Sequence, residues 1–183
     1  MESDMTYLFL ANGFEEMEAL VPYDCLLRAG VTVRTVSVSG DPNVRGAHGV
    51  VVRADMTADQ LKAGMPDCVI LPGGMPGAQN LFDSPLVRSV VSEAAAAGAV
   101  IGAICAAPFV LGRLGLLNGK KATCFPGFEG ELGGAVYTGD RVVRDGNIIT
   151  ARGAGVALLF ARALIEALCG KETADRVMNQ MMV

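Results

Sequence analysis

The sequence predicts an α/β fold with a mostly parallel sheet and helices on both of its faces. Three observations support this. Short apolar segments alternate with segments of helical length, glycine turns separate them, and the chain is 51% hydrophobic. Strands buried on both faces are typical of parallel sheets covered by helices. The chain has 183 residues and no linker, repeat or low-complexity segment, so we expect a single domain over residues 1–183.

In the first half of the chain, apolar or alternating runs predict strands, and longer runs closed by glycine predict helices. The predicted strands are residues 6–11, 31–38, 49–55 and 67–74, the last ending in a glycine turn. A long helix is predicted over 15–30 and a short one over 57–64, with a turn at 41–46.

The second half continues the alternation. A helix is predicted over residues 84–99, with Pro85 in its first turn, where proline is favoured. Asp145-Gly146 predicts the turn of a β-hairpin. The remaining predicted elements are a strand at 99–104, a helix at 106–117, the hairpin at 141–150, and helices at 155–170 and 171–181.

Charge and hydropathy exclude several classes of function. The net charge is −4 and the longest basic run is Lys120-Lys121, so we expect no nucleic-acid partner. Gly, Arg or Pro interrupts every apolar run before the ~18–20 residues that a membrane span needs. The first residues lack the basic and apolar regions of a signal peptide, and we therefore expect a cytoplasmic protein.

The five cysteines are widely spaced, odd in number and never arranged as C-x-x-C. This pattern favours neither a disulfide framework nor a zinc site. His48 is the single histidine, so one chain cannot form a histidine-rich metal site. We expect no metal and no cofactor.

Cys105 is the candidate nucleophile. It follows an apolar strand and precedes a predicted helix, with Ala103 and Ala107 two residues away on either side. Small residues at these positions are typical of a nucleophile elbow, a tight turn that presents its side chain at the end of a sheet. The alternative is a buried core cysteine, because cysteine is among the most buried residue types.

Two further stretches bear on this choice. Gly73-Gly74 ends a predicted neighbouring strand, and its backbone N–H groups could form an oxyanion hole, although Gly-Gly also marks ordinary turns. Glu15, Glu16 and Glu18 begin the first helix, where carboxylates commonly interact with the helix dipole.

Taken together, these stretches resemble the ThiJ/PfpI family, and in particular its parkinsonism-associated deglycase branch with its bacterial relatives. The resemblance covers nearly the whole chain. The stretches that carry it are EEMEALVPYDCLLRAG, LPGGMPGAQNL, AICAAP, TCFPGFE and ARGAGVALLFARALIEALCGKETADRV. Their order along the chain is far more specific than any one of them.

The resemblance implies a flavodoxin-like three-layer sandwich and a homodimer. It places the reactive cysteine on Cys105, the acidic partner on Glu18, and the backbone oxyanion donors on Gly73, Gly74 and Ala106, together with the cysteine itself. It implies cofactor-free, glyoxalase- or deglycase-type chemistry on methylglyoxal or its glycation adducts. The alternative is a non-catalytic redox sensor or chaperone-like holdase that works through oxidation of Cys105 in oxidative stress.

The chain departs from the family pattern at three positions. Phe125 stands where some relatives carry histidine, and Gly153-Ala154-Gly155 replaces a Gly-Pro-Gly. Ala106 replaces the histidine of the protease-like branch, so we expect no peptidase activity. Three residues are candidate accessories to the site: His48, Phe125 and Cys124.

The two candidate catalytic groups are expected to titrate together. Two poorly solvated anions in contact repel, so one of them must keep its proton. A thiol at a helix N-terminus has a lowered pKa. The sequence therefore predicts a raised pKa for Glu18 and a lowered pKa for Cys105.

Overall fold

The structure is a computed structural model that describes residues 5–61 and 65–183. The strands are β1 (Met5–Leu10), β2 (Thr32–Ser37), β3 (Asn43–Arg45), β4 (Val51–Arg53), β5 (Met56–Thr57), β6 (Cys68–Leu71), β7 (Val100–Ile104), β8 (Lys121–Ala122), β9 (Val136–Tyr137), β10 (Val142–Asp145) and β11 (Ile148–Ala151). The helices are α1 (Glu16–Arg28), α2 (Gly77–Asp83), α3 (Pro85–Ala96), α4 (Pro108–Arg113), α5 (Ala157–Cys169) and α6 (Lys171–Gln180).

A seven-stranded sheet crosses the molecule in the order β10-β11-β7-β6-β1-β2-β5. Every neighbouring pair is parallel except β10 and β11, which form the predicted antiparallel hairpin. Gly146 in that turn has φ +63°, a conformation that glycine adopts without strain. The mostly parallel sheet is therefore confirmed.

Alternate residues of each strand point to opposite faces of the sheet, and two hydrophobic cores result. Leu8 and Ile70 belong to the core that contains side chains of α1, α5 and α6. Phe9 and Val69 belong to the other core, which contains side chains of α2, α3 and α4. This arrangement confirms the predicted three-layer sandwich with helices on both faces.

The segment between β2 and β5 differs from the prediction. Residues 43–45, expected in a turn, pair with 51–53 as a separate antiparallel hairpin, so the strand predicted at 49–55 is not part of the central sheet. Val51 in this hairpin is 49% exposed. Of the short helix predicted at 57–64, only a 3-10 turn at Ala58–Gln60 is observed, and residues 62–64 lie outside the described residues.

The sheet topology brings four loops to one edge. The parallel strands β1, β6, β7 and β11 all end at this edge, and α1 starts after β1. The strand order reverses between β1 and β6, and in open α/β sheets ligands bind in the crevice at such a reversal. Within the described part of the chain, no helix combines the length and apolar character needed to span a membrane.

Candidate active site

Cys105 lies directly after β7 in a strained backbone conformation. Its φ is +65°, which non-glycine residues rarely adopt. Two backbone hydrogen bonds hold it there: its N–H donates to the Ala151 carbonyl, and its carbonyl accepts the Phe125 N–H, both at 2.8 Å. Ala103 and Ala107, two residues away on either side, are fully buried. The backbone is that of a nucleophile elbow, and its thiol is partly exposed.

Gly73 lies between Cys105 and Glu18. A Cβ atom at Gly73 would approach Glu18 Oε2 to 2.5 Å and Cys105 Cβ to 2.7 Å. The Gly73 N–H donates a 2.9 Å hydrogen bond to Glu18 Oε2. The absence of a side chain at this position therefore lets the first helix place its carboxyl group beside the thiol.

Glu18 is a buried acid with unused hydrogen-bonding capacity. The residue is 1% exposed, and its Oε1 atom has no well-aligned hydrogen-bond partner among the described residues. Burial raises the pKa of Glu18 to about 7, and the nearby Glu15 carboxylate acts in the same direction. Hydrogen bonding with Cys105 and with the backbone of Ala154 partly opposes this rise. The raised pKa predicted for Glu18 is thus confirmed.

The predicted lowering of the Cys105 pKa is wrong. Burial, followed by the charge of Glu18, raises the pKa of the Cys105 thiol to about 12. The backbone N–H groups of Ala106 and Gly74 lower it, but their effect is smaller. The position at a helix N-terminus favours the thiolate, but the loss of solvation at the site outweighs it, and this loss depends on tertiary packing.

The two pKa values indicate which group holds the proton near neutral pH. A carboxyl group with a pKa of about 7 ionises well before a thiol with a pKa of about 12. The abundant state above pH 7 is therefore a Glu18 carboxylate hydrogen-bonded to a neutral Cys105 thiol. In this state the carboxylate is positioned to accept the thiol proton as a general base.

The backbone donors divide into two groups. Gly74 and Ala106 direct their N–H groups toward the Cys105 sulfur. Gly73, the third predicted oxyanion donor, donates its N–H to Glu18 in this structure. This hydrogen bond holds the carboxyl group in position.

His48 contacts Glu16 and is not bonded to Cys105. Its backbone N–H and its Nδ1 atom bind the two oxygens of Glu16, both at 2.7 Å. Burial opposes ionisation of Glu16, but these hydrogen bonds prevail and lower its pKa, while Glu16 raises the pKa of His48. The His48 side chain is 72% exposed. It joins the β3–β4 hairpin to the start of α1.

Glu15, Glu16 and His48 form the one group of potential metal ligands found among residues 5–61 and 65–183. One ligand atom from each lies within 4.8 Å of the others. Both Glu16 oxygens already bind His48, and Glu15 Oε2 accepts the Glu18 N–H as the cap of α1. Hydrogen bonds within the protein account for this cluster.

Phe125 and Cys124 are adjacent in sequence but occupy different environments. Phe125 is 48% exposed and is bonded through its backbone to Cys105. Cys124 is fully buried in the core on the α2–α4 face, whereas Cys105 packs against the opposite core. The accessory role of Cys124 therefore stays a prediction, and the structure places its side chain in a different core from the one that Cys105 contacts.

None of the five cysteines, all of which lie in the described part of the chain, is in a disulfide. Cys25 and Cys68 are fully buried, and burial raises the pKa of their thiols to about 11 and about 12. Burial also raises the pKa of Cys124 to about 11. Cys105 and Cys169 are the two thiols with partial exposure.

Two residues that act on Glu18, Ala154 and Glu15, were not predicted from the sequence to have this role. The Ala154 backbone bonds to its carboxyl group, and the Glu15 charge raises its pKa. The Gly153-Ala154-Gly155 segment was recognised only as a departure from a family pattern. This segment follows β11, and β11 lies beside β7, which ends directly before Cys105. Its place at the end of a strand was the feature of the sequence that could have indicated its proximity to the site.

The fold and the site together define a class of protein: an α/β sandwich with a cysteine nucleophile elbow and a buried carboxylic acid beside the thiol. Residues 5–167 match the DJ-1/PfpI family. The chain belongs to this family, as its sequence motifs predicted.

Three comparisons illustrate the relationship. Protein dj-1beta of Drosophila melanogaster is 37% identical over 183 residues, which cover 99% of this chain and 98% of the fly protein. The solved structure of oxidized DJ-1 from Toxoplasma gondii has a TM-score of 0.94 at 36% identity and 98% coverage of both chains. A glutathione-independent glyoxalase of Caenorhabditis elegans, DJR-1.2, is 32% identical over 169 residues, covering 91% of this chain and 89% of that protein.

Proposed function

We propose that the protein is a cysteine-dependent, cofactor-free glyoxalase that converts 2-oxoaldehydes such as methylglyoxal into 2-hydroxy acids. The observation that carries this proposal is the pairing of Cys105 with Glu18. The carboxyl group is buried, has a pKa of about 7 and keeps one oxygen without a well-aligned partner. The worm relative named as a glutathione-independent glyoxalase supports the same class of reaction.

The reaction begins with attack of sulfur on the aldehyde carbon. The Glu18 carboxylate takes the thiol proton as the C–S bond forms, and the carbonyl π electrons move to oxygen. The Gly74 and Ala106 N–H groups, which lie near the sulfur, are positioned to stabilise this oxyanion. Return of the proton from Glu18 to the oxyanion gives a hemithioacetal.

The second stage moves one hydrogen between neighbouring carbons. Glu18 removes the proton from the former aldehyde carbon, and the resulting enediol is reprotonated at the adjacent carbon, which gives a 2-hydroxy thioester. Water then cleaves the C–S bond and regenerates the thiol. The aldehyde carbon is oxidised and the ketone carbon is reduced, so the net change is addition of one water and no external oxidant is needed.

Methylglyoxal consumption tests this proposal directly. We expect slow formation of lactate by the chelator-treated wild type, and loss of activity in Cys105→Ala. In Glu18→Gln the activity should fall about 10²–10⁴-fold, which is the usual contribution of a general acid–base residue. Cys169→Ala and Glu172→Gln are the matched controls and should retain activity. Consumption by the wild type no faster than in buffer alone would refute the glyoxalase proposal.

Glycated substrates require a separate measurement. An enzyme that removes free methylglyoxal pulls reversible adducts apart without touching them. Adduct loss should therefore be compared with an unrelated methylglyoxal-consuming enzyme at equal consumption rate. A direct deglycase step is supported only if adducts disappear faster with this protein.

A second candidate function is redox sensing or holdase activity through Cys105. The observation that favours it is that three of the other four thiols are fully buried, whereas Cys105 is partly exposed beside a base. Under graded peroxide, Cys105 should reach sulfinate before Cys25, Cys68 or Cys124. Peptide mass spectrometry that found earlier oxidation of these buried thiols would exclude this function.

We also propose that the protein is a cytoplasmic homodimer that takes no metal and binds neither nucleic acid nor membrane. Support for the dimer comes from an open apolar depression of about 500 Å³ between α1 and the 154–158 segment. Its apolar lining residues include Met17, Leu20, Val21 and Leu158. An apolar surface of this kind favours association.

A further inference from the structure

Two residues in segments that border the backbone of Cys105 carry large, exposed apolar side chains. Met75 is 51% exposed and directly follows Gly74, whose N–H group is directed at the Cys105 sulfur. Phe125 is 48% exposed, and its N–H binds the Cys105 carbonyl at 2.8 Å. They come from the loops after β6 and β8, so two separate segments near the cysteine each carry an exposed apolar residue.

The Phe125 ring lies against the loop that contributes to the site. A Cβ atom at Gly153 would come within 3.4 Å of the ring atom Cδ2. The next residue, Ala154, is bonded through its backbone to Glu18. The Phe125 carbonyl accepts the Phe128 N–H at 3.1 Å, which closes a turn and fixes the backbone that carries the ring.

We infer that Phe125 and Met75 form an apolar rim that binds the side chain of the substrate, and that the preferred 2-oxoaldehydes carry an aromatic group. This inference rests on the proposed function. A methyl group covers little of an exposed phenyl ring, whereas an aryl group can stack on it with an offset. The substrate then attaches to Cys105 through its aldehyde carbon, and its aryl group packs against the apolar rim and is removed from water. Phenylglyoxal plus one water gives mandelate by the same internal hydrogen transfer.

The test compares kcat/KM for phenylglyoxal and methylglyoxal across variants. Loss of one aromatic pair typically lowers affinity about 3- to 10-fold, so Phe125→Ala should lower the phenylglyoxal-to-methylglyoxal ratio by that factor. Phe125→Leu and Met75→Ala should lower it less. Val136→Ala removes a comparably exposed apolar side chain from β9 and should leave the ratio unchanged. Intrinsic differences between the two aldehydes cancel, because each variant is compared with wild type.

A second measurement does not depend on turnover. The reagents 2-chloroacetophenone and chloroacetamide share a leaving group, and only the first carries an aryl group. The measured quantity is the ratio of the rates at which they alkylate Cys105. Phe125→Ala should slow the aryl reagent selectively, as followed by peptide mass spectrometry. If neither aldehyde is consumed but the alkylation ratio still falls, the glyoxalase proposal fails and the apolar rim stands. If Phe125→Ala leaves both ratios at the wild-type value, the inference is overturned.

Discussion

Glu18 and Cys105 both lie so close to Gly73 that a methyl group on this residue would clash with each of them. A Cβ atom there would lie 2.5 Å from the Glu18 carboxylate and 2.7 Å from the Cys105 Cβ. Residue 73 therefore sets the separation of the acid and the thiol, on which the proposed chemistry depends.

Gly73→Ala should damage both stability and activity. The added methyl group must displace either the carboxyl group or the cysteine backbone, and overpacking of this kind costs about 1–3 kcal/mol. We expect a lower free energy of unfolding in urea and a large fall in kcat/KM for methylglyoxal. Gly130→Ala is the control, because its added Cβ meets no atom within 4 Å. Wild-type activity in Gly73→Ala would show that this spacing is not critical.

Activity should depend on ionisation of Glu18. The pKa of this acid is about 7, and only its ionised form can accept the thiol proton. The value of kcat/KM should therefore rise with pH and level off above about pH 7. In Glu18→Gln the residual activity should lose this inflection. A wild-type profile that is flat between pH 5.5 and 8.5 would contradict the assignment of Glu18 as the base.

The same acid should destabilise the fold at high pH. Folding raises the pKa of Glu18 from 4.5 to about 7, so the folded state binds the proton more tightly than the unfolded chain. This contribution to stability is complete below pH 4.5 and is lost as pH rises through 7. The loss amounts to about 3 kcal/mol, since one pKa unit corresponds to about 1.4 kcal/mol.

Glu18→Gln removes that titration. Urea unfolding should show the variant gaining stability over wild type between pH 5 and pH 8, with the difference approaching about 3 kcal/mol. Glu172→Gln, which alters an exposed carboxylate, provides the comparison. If the free energies of unfolding of Glu18→Gln and wild type differ by the same amount at pH 5 and at pH 8, Glu18 ionises normally in the folded protein.

The backbone of Cys105 should favour glycine over alanine. With φ at +65°, a Cβ atom is strained, whereas glycine adopts this region freely. After allowing for the greater flexibility of glycine in the unfolded chain, Cys105→Gly should be more stable than Cys105→Ala by about 0.5–1 kcal/mol. Thermal and urea unfolding of the two inactive variants measure this difference. A more stable alanine variant would argue against strain at the elbow.

A charge on the apolar face of α1 should disrupt the proposed dimer. Met17 is 52% exposed and lines the depression described above. In sedimentation velocity at micromolar concentration, the wild type should have twice the 19.0 kDa chain mass, and Met17→Glu should shift to the single-chain value. Val136→Glu places a charge on β9 and should remain dimeric. A wild type that sediments only as a 19.0 kDa species would exclude the dimer.

Local features of the sequence were sufficient for most of the fold and for the nucleophile. Strand and helix segments differ in hydrophobic period, and this property depends only on neighbouring residues. The elbow at Cys105 was predictable because its small flanking residues are adjacent in the chain. The Asp145-Gly146 turn is local in the same sense. By contrast, the pairing of residues 43–45 with 51–53 was missed, because these short segments carry little periodic signal.

Tertiary structure alone decided how the site is charged. Gly73 is 55 residues from Glu18 in the sequence, and only the packing of α1 against the end of β6 shows that its N–H binds this carboxyl group. The same packing removes Glu18 and Cys105 from water, which raises both pKa values and leaves the proton on sulfur. It also places Cys124 in a different hydrophobic core from the one that Cys105 contacts. The sequence by itself predicted which residues are the candidates for the proposed chemistry, whereas solvation and contact between distant segments determined which of them holds the proton.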